Sequence, residues 1–147
     1  MMIGMSEQAA GNAGPGTRPT TTAQRAGLTA ESLVADRLAA AGWRVLARNV
    51  RVRRGELDIV AVDPGPPETL VIVEVRWRSR RDFGLAEETL DHRKSAAMRR
   101  GIGGLLEAGR LPDGTALPHL PVRVDLVAVD HDARGCVSVR HHRAIRP

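Results

Sequence analysis

Glu56–Asp63 reads ELDIVAVD, Pro64–Glu68 reads PGPPE, and Thr69–Arg78 reads TLVIVEVRWR. Both long arms alternate with the period of two that marks a strand with distinct faces. Leu57, Ile59, Ala61, Val71, Val73, Val75 and Trp77 compose one apolar face. The other face is apolar near the loop, at Val60, Val62, Leu70 and Ile72, and ionic away from it, at Glu56, Asp58, Glu74 and Arg76. With Pro64–Glu68 as the loop, Asp63 pairs with Thr69, Asp58 stands opposite Glu74, and Glu56 stands opposite Arg76. Side chains directly opposed in an antiparallel pair hold their Cβ atoms about 4.5–5.5 Å apart, where like charges repel. Two carboxylates facing each other on a hydrophobic hairpin therefore call for a cation. On spacing alone, ordinary cross-strand ion pairs with neighbouring arginines carry equal weight.

On the N-terminal side of the hairpin, Gln24–Ala41 has helical spacing, and Gly42 is a natural stop. Leu28, Val34, Ala35 and Leu38 share one face of that helix, and Glu31 falls on the same stripe. A carboxylate on a buried stripe is costly unless it is paired or binds a cation. Residues 43–52, WRVLARNVRV, read as a strand with Val45, Ala47 and Asn49 on one face. Arg48, Arg51, Arg53 and Arg54 make its end basic, and Gly55 permits the tight turn into the hairpin. Residues 1–23 are rich in Gly, Thr, Ala and Pro without periodic apolar positions, which reads as a disordered tail.

On the C-terminal side come Arg78, Arg80 and Arg81, then Phe83-Gly84, which reads as a loop closing beside the site. Thr89 is a suitable N-cap for a helix running to Ala108, with Leu90, Met98, Ile102 and Leu105 as its apolar stripe. Gly101, Gly103 and Gly104 weaken that helix by about 1 kcal/mol each relative to alanine, or permit close packing on a sheet. Lys94, the sole lysine, lies on the apolar side of the helix. Residues 110–120 are turn-forming. Residues 121–130 form a strand with Val122, Val124, Leu126 and Ala128 on one face and Arg123, Asp125, Val127 and Val129 on the other. A last short strand follows. The order α-β-β-β-α-β-β predicts an α/β sandwich, a mixed central sheet flanked by helices.

A chain of 147 residues, 42% of them hydrophobic, suits one domain, here 24–147. A net charge of +5 favours an anionic partner, nucleic acid first and a membrane surface second. With no tyrosine, one phenylalanine and two tryptophans, a surface that stacks unpaired bases on aromatic rings is not expected. Cys136 is alone, so no intrachain disulfide forms. The opening MMIGMSEQAAGNAG lacks the basic and apolar regions of a signal peptide, and no apolar run approaches a membrane span. A cytoplasmic location without membrane contact is expected. The five histidines show no metal-ligand spacing, which disfavours zinc.

Asp58 and Glu74 offer hard oxygen ligands, which favour Mg²⁺ or Mn²⁺, and the carbonyl of Val75 is a candidate third ligand. Arg76 suits neutralisation of charge developing on phosphorus, but guanidinium cannot act as a general base. The constellation resembles the PD-(D/E)XK nuclease signature. The wider run, from the helix Glu through RRGELDIVAVD and LVIVEVRWR to FG and VDLVAVD, resembles the YraN-like family over about residues 25–145. That resemblance implies a restriction-endonuclease-like fold and a metal-dependent nuclease site. It makes Asp58 and Glu74 the acids of the two motifs, Glu31 the helix acid, and Arg76 the occupant of the usual lysine position. Lys94 is then a candidate for the missing lysine's role. Arg51, Arg53, Arg54, Arg78, Arg80 and Arg81 are the candidate nucleic-acid contacts. The expected function is Mg²⁺-dependent phosphodiester hydrolysis on nucleic acid, DNA first, with a homodimer as one arrangement. The alternative is a catalytically inactive nucleic-acid-binding or adaptor protein on the same fold.

Overall fold

The computed structural model describes residues 22–53, 55–79 and 92–147, with the backbone alone at 22–27, 78–79 and 92–94. Helix α1 is Thr22–Ala40, and the strands β1, β2 and β3 are Arg44–Val52, Gly55–Asp63 and Thr69–Ser79. Helix α2, His92–Ala108, crosses to β4, Val122–His131, and β5, Val137–His142, follows. This is the expected α-β-β-β-α-β-β order. The Thr89 cap, Leu90 and the Phe83-Gly84 loop lie outside the described residues, as does the tail up to residue 21.

The five strands stand in the order β1-β2-β3-β4-β5. All neighbouring pairs are antiparallel except β3 and β4, which are parallel and joined by the α2 crossover. Period-two alternation on a sheet covered from both sides demands two apolar faces. Ile59, Ala61, Val71, Val73, Val127 and Val129 pack against Ala30, Val34, Ala35 and Leu38 of α1, with Trp43 beside them. Val60, Val62, Leu70 and Ile72 pack against Met98, Ile102 and Leu105 of α2. Among the described residues, no helix is long and apolar enough to cross a membrane.

Three face assignments change. Leu57 packs with the α2-side cluster, not with Ile59. Val45 and Ala47 also belong to opposite clusters, because the β1–β2 register shifts between them. Asn49 adopts a positive φ of 49°, a conformation that asparagine tolerates better than most residues. A bulge of this kind bends a strand and increases its twist, so unbroken alternation fails on both sides of it. On α1, Ala30 takes the buried position expected of Leu28, which is 46% exposed.

Of the three α2 glycines, only Gly101 serves close packing. A Cβ there would stand 3.3 Å from both Leu57 and Val52, whereas one at Gly103 or Gly104 would meet nothing within 4 Å. Gly101→Val is expected to destabilise the fold by about 1–3 kcal/mol through overpacking. Gly103→Ala, gaining helix propensity in open space, should stabilise it by up to about 1 kcal/mol. Urea denaturation of the two variants tests the contrast; equal effects would contradict it.

Candidate functional site

The hairpin register is as expected near its loop, with Asp63 opposite Thr69, and the ladder continues to Ile59 opposite Val73. There it ends, while β3 runs on beside β4 to Ser79. A strand that loses its neighbour leaves backbone groups in need of partners. The Asp58 side chain fills that role: Val75 N–H donates to Asp58 Oδ2 at 2.8 Å. The simple opposition of Asp58 to Glu74 is therefore replaced by a carboxylate set into the cleft between two parting strands.

Glu31 meets Asp58 from α1. Burial raises its carboxyl pKa from 4.5 to about 7, reinforced by the charge of Asp58 and a hydrogen bond with it, and by Glu56. Arg48 opposes the shift only in part, and its Nη2 donates to Ser32 Oγ at 2.6 Å. Among the described residues, Glu31 Oε2 is buried with no hydrogen-bond partner. Negative charge is therefore crowded and incompletely neutralised where β2 leaves β3.

Glu74 and Arg76 lie on the α2 side, in step with Leu70 and Ile72. Their side chains pair at 3.1 Å and are 15% and 17% exposed respectively. Among the described residues, Arg76 Nε is buried without a partner. With Gly55, Glu56 and the α2 residues Ala97 and Met98, this pair lines a cavity of about 190 Å³. The expected ionic row is thus divided: Glu56, Glu74 and Arg76 share the α2-side cavity, and Asp58 turns toward Val75 and Glu31.

Among the described residues, no three His, Cys, Asp or Glu side chains form a group able to hold a metal ion. The donor chemistry at Glu31 and Asp58 nonetheless suits a hard divalent cation: two oxygen-bearing acids share a half-buried place, and one buried oxygen has no partner. Val75 enters through its N–H. Arg51 and Arg53 are exposed beside the turn into β2. Arg54, Arg80 and Arg81 lie outside the described residues, and Arg78 and Lys94 are described by backbone alone.

Sequence reasoning missed a second charged centre, built on β4. Asp125 is fully buried. Its carboxylate accepts from Arg123 Nε and Nη2 at 2.8 and 2.9 Å, from Ala144 N at 2.9 Å, and contacts His141 Nε2 at 2.8 Å. Burial pushes its pKa up, but the His141, Arg123 and Ala144 hydrogen bonds outweigh that and hold it down to about 2. Burial likewise acts against ionised Asp63, yet the Gly65 N–H and Arg123 lower its pKa, and these two acids raise that of Arg123. The available signal was Asp125 itself, an acid sharing a strand face with Val127 and Val129.

The two centres should respond oppositely to pH. Folding raises the Glu31 pKa, so its contribution is complete below about 4.5 and lost as pH rises through about 7. Glu31→Gln should therefore gain on the wild type between pH 4 and pH 8.5, by up to about 3 kcal/mol in urea denaturation; a gap independent of pH would contradict this. Folding lowers the Asp125 pKa, so its contribution is complete above 3.8 and lost as pH falls through about 2. Asp125→Ala, which leaves Arg123 and the Ala144 N–H without this acceptor, should cost about 3–5 kcal/mol at neutral pH. A cost under 1 kcal/mol in the same measurement would contradict it.

The model of the family described as "Uncharacterised protein family UPF0102" matches residues 30–129, from within α1 through the hairpin and into β4. A UPF0102 protein of Parafrankia sp. (strain EAN1pec) is 38% identical over 123 residues, covering 82% of this chain and 94% of that protein. One from Roseiflexus castenholzii is 40% identical over 118 residues, covering 80% and 89%. One from Mycobacterium avium is 35% identical over 129 residues, covering 88% and 95%. The structure of Pyrococcus furiosus SfsA in complex with Ca²⁺ aligns with a TM-score of 0.37 and 16% identity, over 82% of this chain and 63% of that one, a likeness too slight to argue from. On the family match and these near full-length relatives, the chain belongs to the UPF0102 family, the YraN-like proteins.

Proposed function

We propose that this protein hydrolyses phosphodiester bonds in nucleic acid, DNA in the first instance, using Mg²⁺ or Mn²⁺. The observation that carries this reading is the incompletely neutralised acid pair, Glu31 with Asp58, held where β2 parts from β3. Such an arrangement is unfavourable as structure alone, and it favours a bound cation. Asp58 and Glu31 would hold the ion, and Glu74, on the other face of the sheet, would act by holding Arg76. When bound, the ion supplies Lewis acidity to a phosphodiester oxygen and to water.

The protein's own groups perform the rest. The Val75 N–H fixes one oxygen of Asp58, which orients the carboxylate. Arg76, paired with Glu74, presents a fixed positive charge for the pentavalent phosphate and cannot take a proton from water. Exposed Arg51 and Arg53 extend the positive surface along a bound backbone. Cytoplasmic location and a homodimer able to cut both strands belong to the same reading. A second reading is favoured by Arg76 standing in the lysine position and by its pairing with Glu74. In that reading the protein binds nucleic acid on the same fold without cleaving it.

Incubation with duplex, flap, junction and single-stranded substrates in Mg²⁺ and in Mn²⁺ separates the two. Cleavage is expected with at least one substrate, with Asp58→Ala and Glu74→Ala each reducing the rate 100-fold or more. Arg76→Lys is expected to keep or raise it. Calorimetric titration with Mg²⁺ should show binding that Asp58→Ala abolishes. Cleavage unaffected by Glu74→Ala would point to a contaminant, and metal-independent binding without cleavage would favour the second reading. Lys94→Arg tests the sole lysine: unchanged activity in an otherwise active preparation removes it from the chemistry.

A further inference from the structure

A second pocket opens on the α1 face, at the C-terminal end of the helix. It encloses about 230 Å³, with Val34, Leu38 and Trp43 among its apolar lining and Arg37, His141 and Arg143 as its polar members; among the described residues no acid lines it. Trp43 is buried at 7% exposure. Its ring is approached by the Arg123 and Arg143 guanidinium carbons at 5.7 and 5.9 Å and by the His141 ring at 5.6 Å.

The acids behind this pocket already have their donors. Asp125 is engaged by Arg123, His141 and the Ala144 N–H, and Asp63 by Arg123 and the Gly65 N–H. Arg143 adds only a 3.7 Å contact to Asp63, and its side chain is 61% exposed. Arg37 is exposed as well. Two guanidinium groups on exposed side chains thus border an apolar, tryptophan-bearing recess. His141 is held there by a buried carboxylate through Nε2, leaving Nδ1 as its second polar atom.

We propose that this pocket receives the phosphate-bearing terminal nucleotide of a nucleic-acid strand. The assignment rests on the nucleic-acid reading above and deepens it. Guanidinium pairs with phosphate in a forked geometry that a simple ammonium cannot reproduce. A base offers a flat, apolar surface to the lining of Val34, Leu38, Val127 and Val139, beside which Trp43 is packed as a reporter. Pockets that enclose whole small ligands usually measure about 300–1,000 Å³, so 230 Å³ suits a base with its sugar and phosphate at the mouth, from which a strand can continue. Arg37 lies six residues after Glu31 on α1, about 9 Å along the axis at ~1.5 Å per residue.

Trp77→Phe leaves Trp43 as the sole tryptophan and so as a reporter of this pocket. Its emission is followed in EDTA while short single strands are added, identical except for a 5′-phosphate, a 3′-phosphate or hydroxyls at both ends. Saturable change is expected, with one phosphorylated end bound at least 10-fold more tightly than the hydroxyl-ended strand. Arg37→Gln and Arg143→Gln should each remove that preference while the circular dichroism spectrum is retained. Both sites are surface positions, and either variant suffices if the other misfolds. Strands that bind equally well with or without terminal phosphate, and equally well to both variants, overturn the pocket assignment and leave the nucleic-acid reading standing. Thymidine monophosphate binding as tightly as the phosphorylated strand overturns the strand-end assignment in favour of a free nucleotide. No change at Trp43 with any strand overturns this inference alone, and the nucleic-acid reading falls with it only if duplex, flap, junction and single-stranded substrates also fail to bind by gel shift in Mg²⁺ and Mn²⁺.

Discussion

The hydrogen bond from Val75 N–H to Asp58 Oδ2 is the contact on which the site's arrangement depends. The β2–β3 ladder ends at Ile59 and Val73, yet β3 continues because β4 holds it on the other side. Without an acceptor from β2, the Val75 N–H would be left in a half-buried cleft, at a cost of about 1–3 kcal/mol. A side-chain carboxylate in place of a backbone carbonyl satisfies that donor and lets the strands diverge. It also fixes an acid at the mouth of the divergence, where Glu31 of α1 and the Glu74–Arg76 pair approach from opposite faces of the sheet. The same substitution of side chain for main chain therefore terminates a ladder and builds a charged cleft.

The two acidic centres illustrate different uses of burial. Asp125 lies deeper than Asp58, yet donors surround it on every side, and its charge stabilises the fold. Arg123 bridges Asp125 and Asp63, tying the end of β2 to β4 across β3. Ala144 accepts a positive φ of 55°, strained for a residue with a Cβ, and its N–H reaches Asp125. At Glu31 and Asp58 the balance is reversed: acids face acids, Arg48 offsets only part of the charge, and one buried oxygen lacks a donor. A fold that surrounds one carboxylate with donors and leaves another pair short concentrates its electrostatic strain in one place. Such places are where ligand binding has most to gain.

The parts of this architecture legible in the sequence were those governed by local periodicity and loop chemistry. PGPPE set the hairpin register at Asp63 and Thr69, and the apolar runs located all five strands and both helices. What escaped was each point where one strand's geometry depends on its neighbour. The shift between Val45 and Ala47, the left-handed Asn49 and the passage of Leu57 to the α2 face all lie where β1 and β2 twist together. Alternation within a single strand carries no record of that twist. Glu31 was legible because a carboxylate on an apolar helical stripe is anomalous by itself. Asp125 carried the same anomaly on a strand, with Arg123 beside it on the same face, but His141 and Ala144 reach it only because β5 and the segment after it return along β4.

Arg76 is the residue on which catalysis and binding diverge. Arginine stands at nearly every basic position of this chain, with Lys94 as the one lysine, so its presence at position 76 says little by itself about lost function. Its surroundings say more. The Arg76 side chain is mostly buried and held at 3.1 Å by Glu74, with Nε unpaired. A long guanidinium serving only to cancel Glu74 could reach it from the surface without burying a donor. Enclosure with an unpaired nitrogen instead leaves a fixed positive charge facing the cavity shared with Glu56 and Glu74. Within the nuclease reading, that charge acts as an electrostatic anchor for an incoming phosphate, and the proton transfers fall to solvent and the carboxylates.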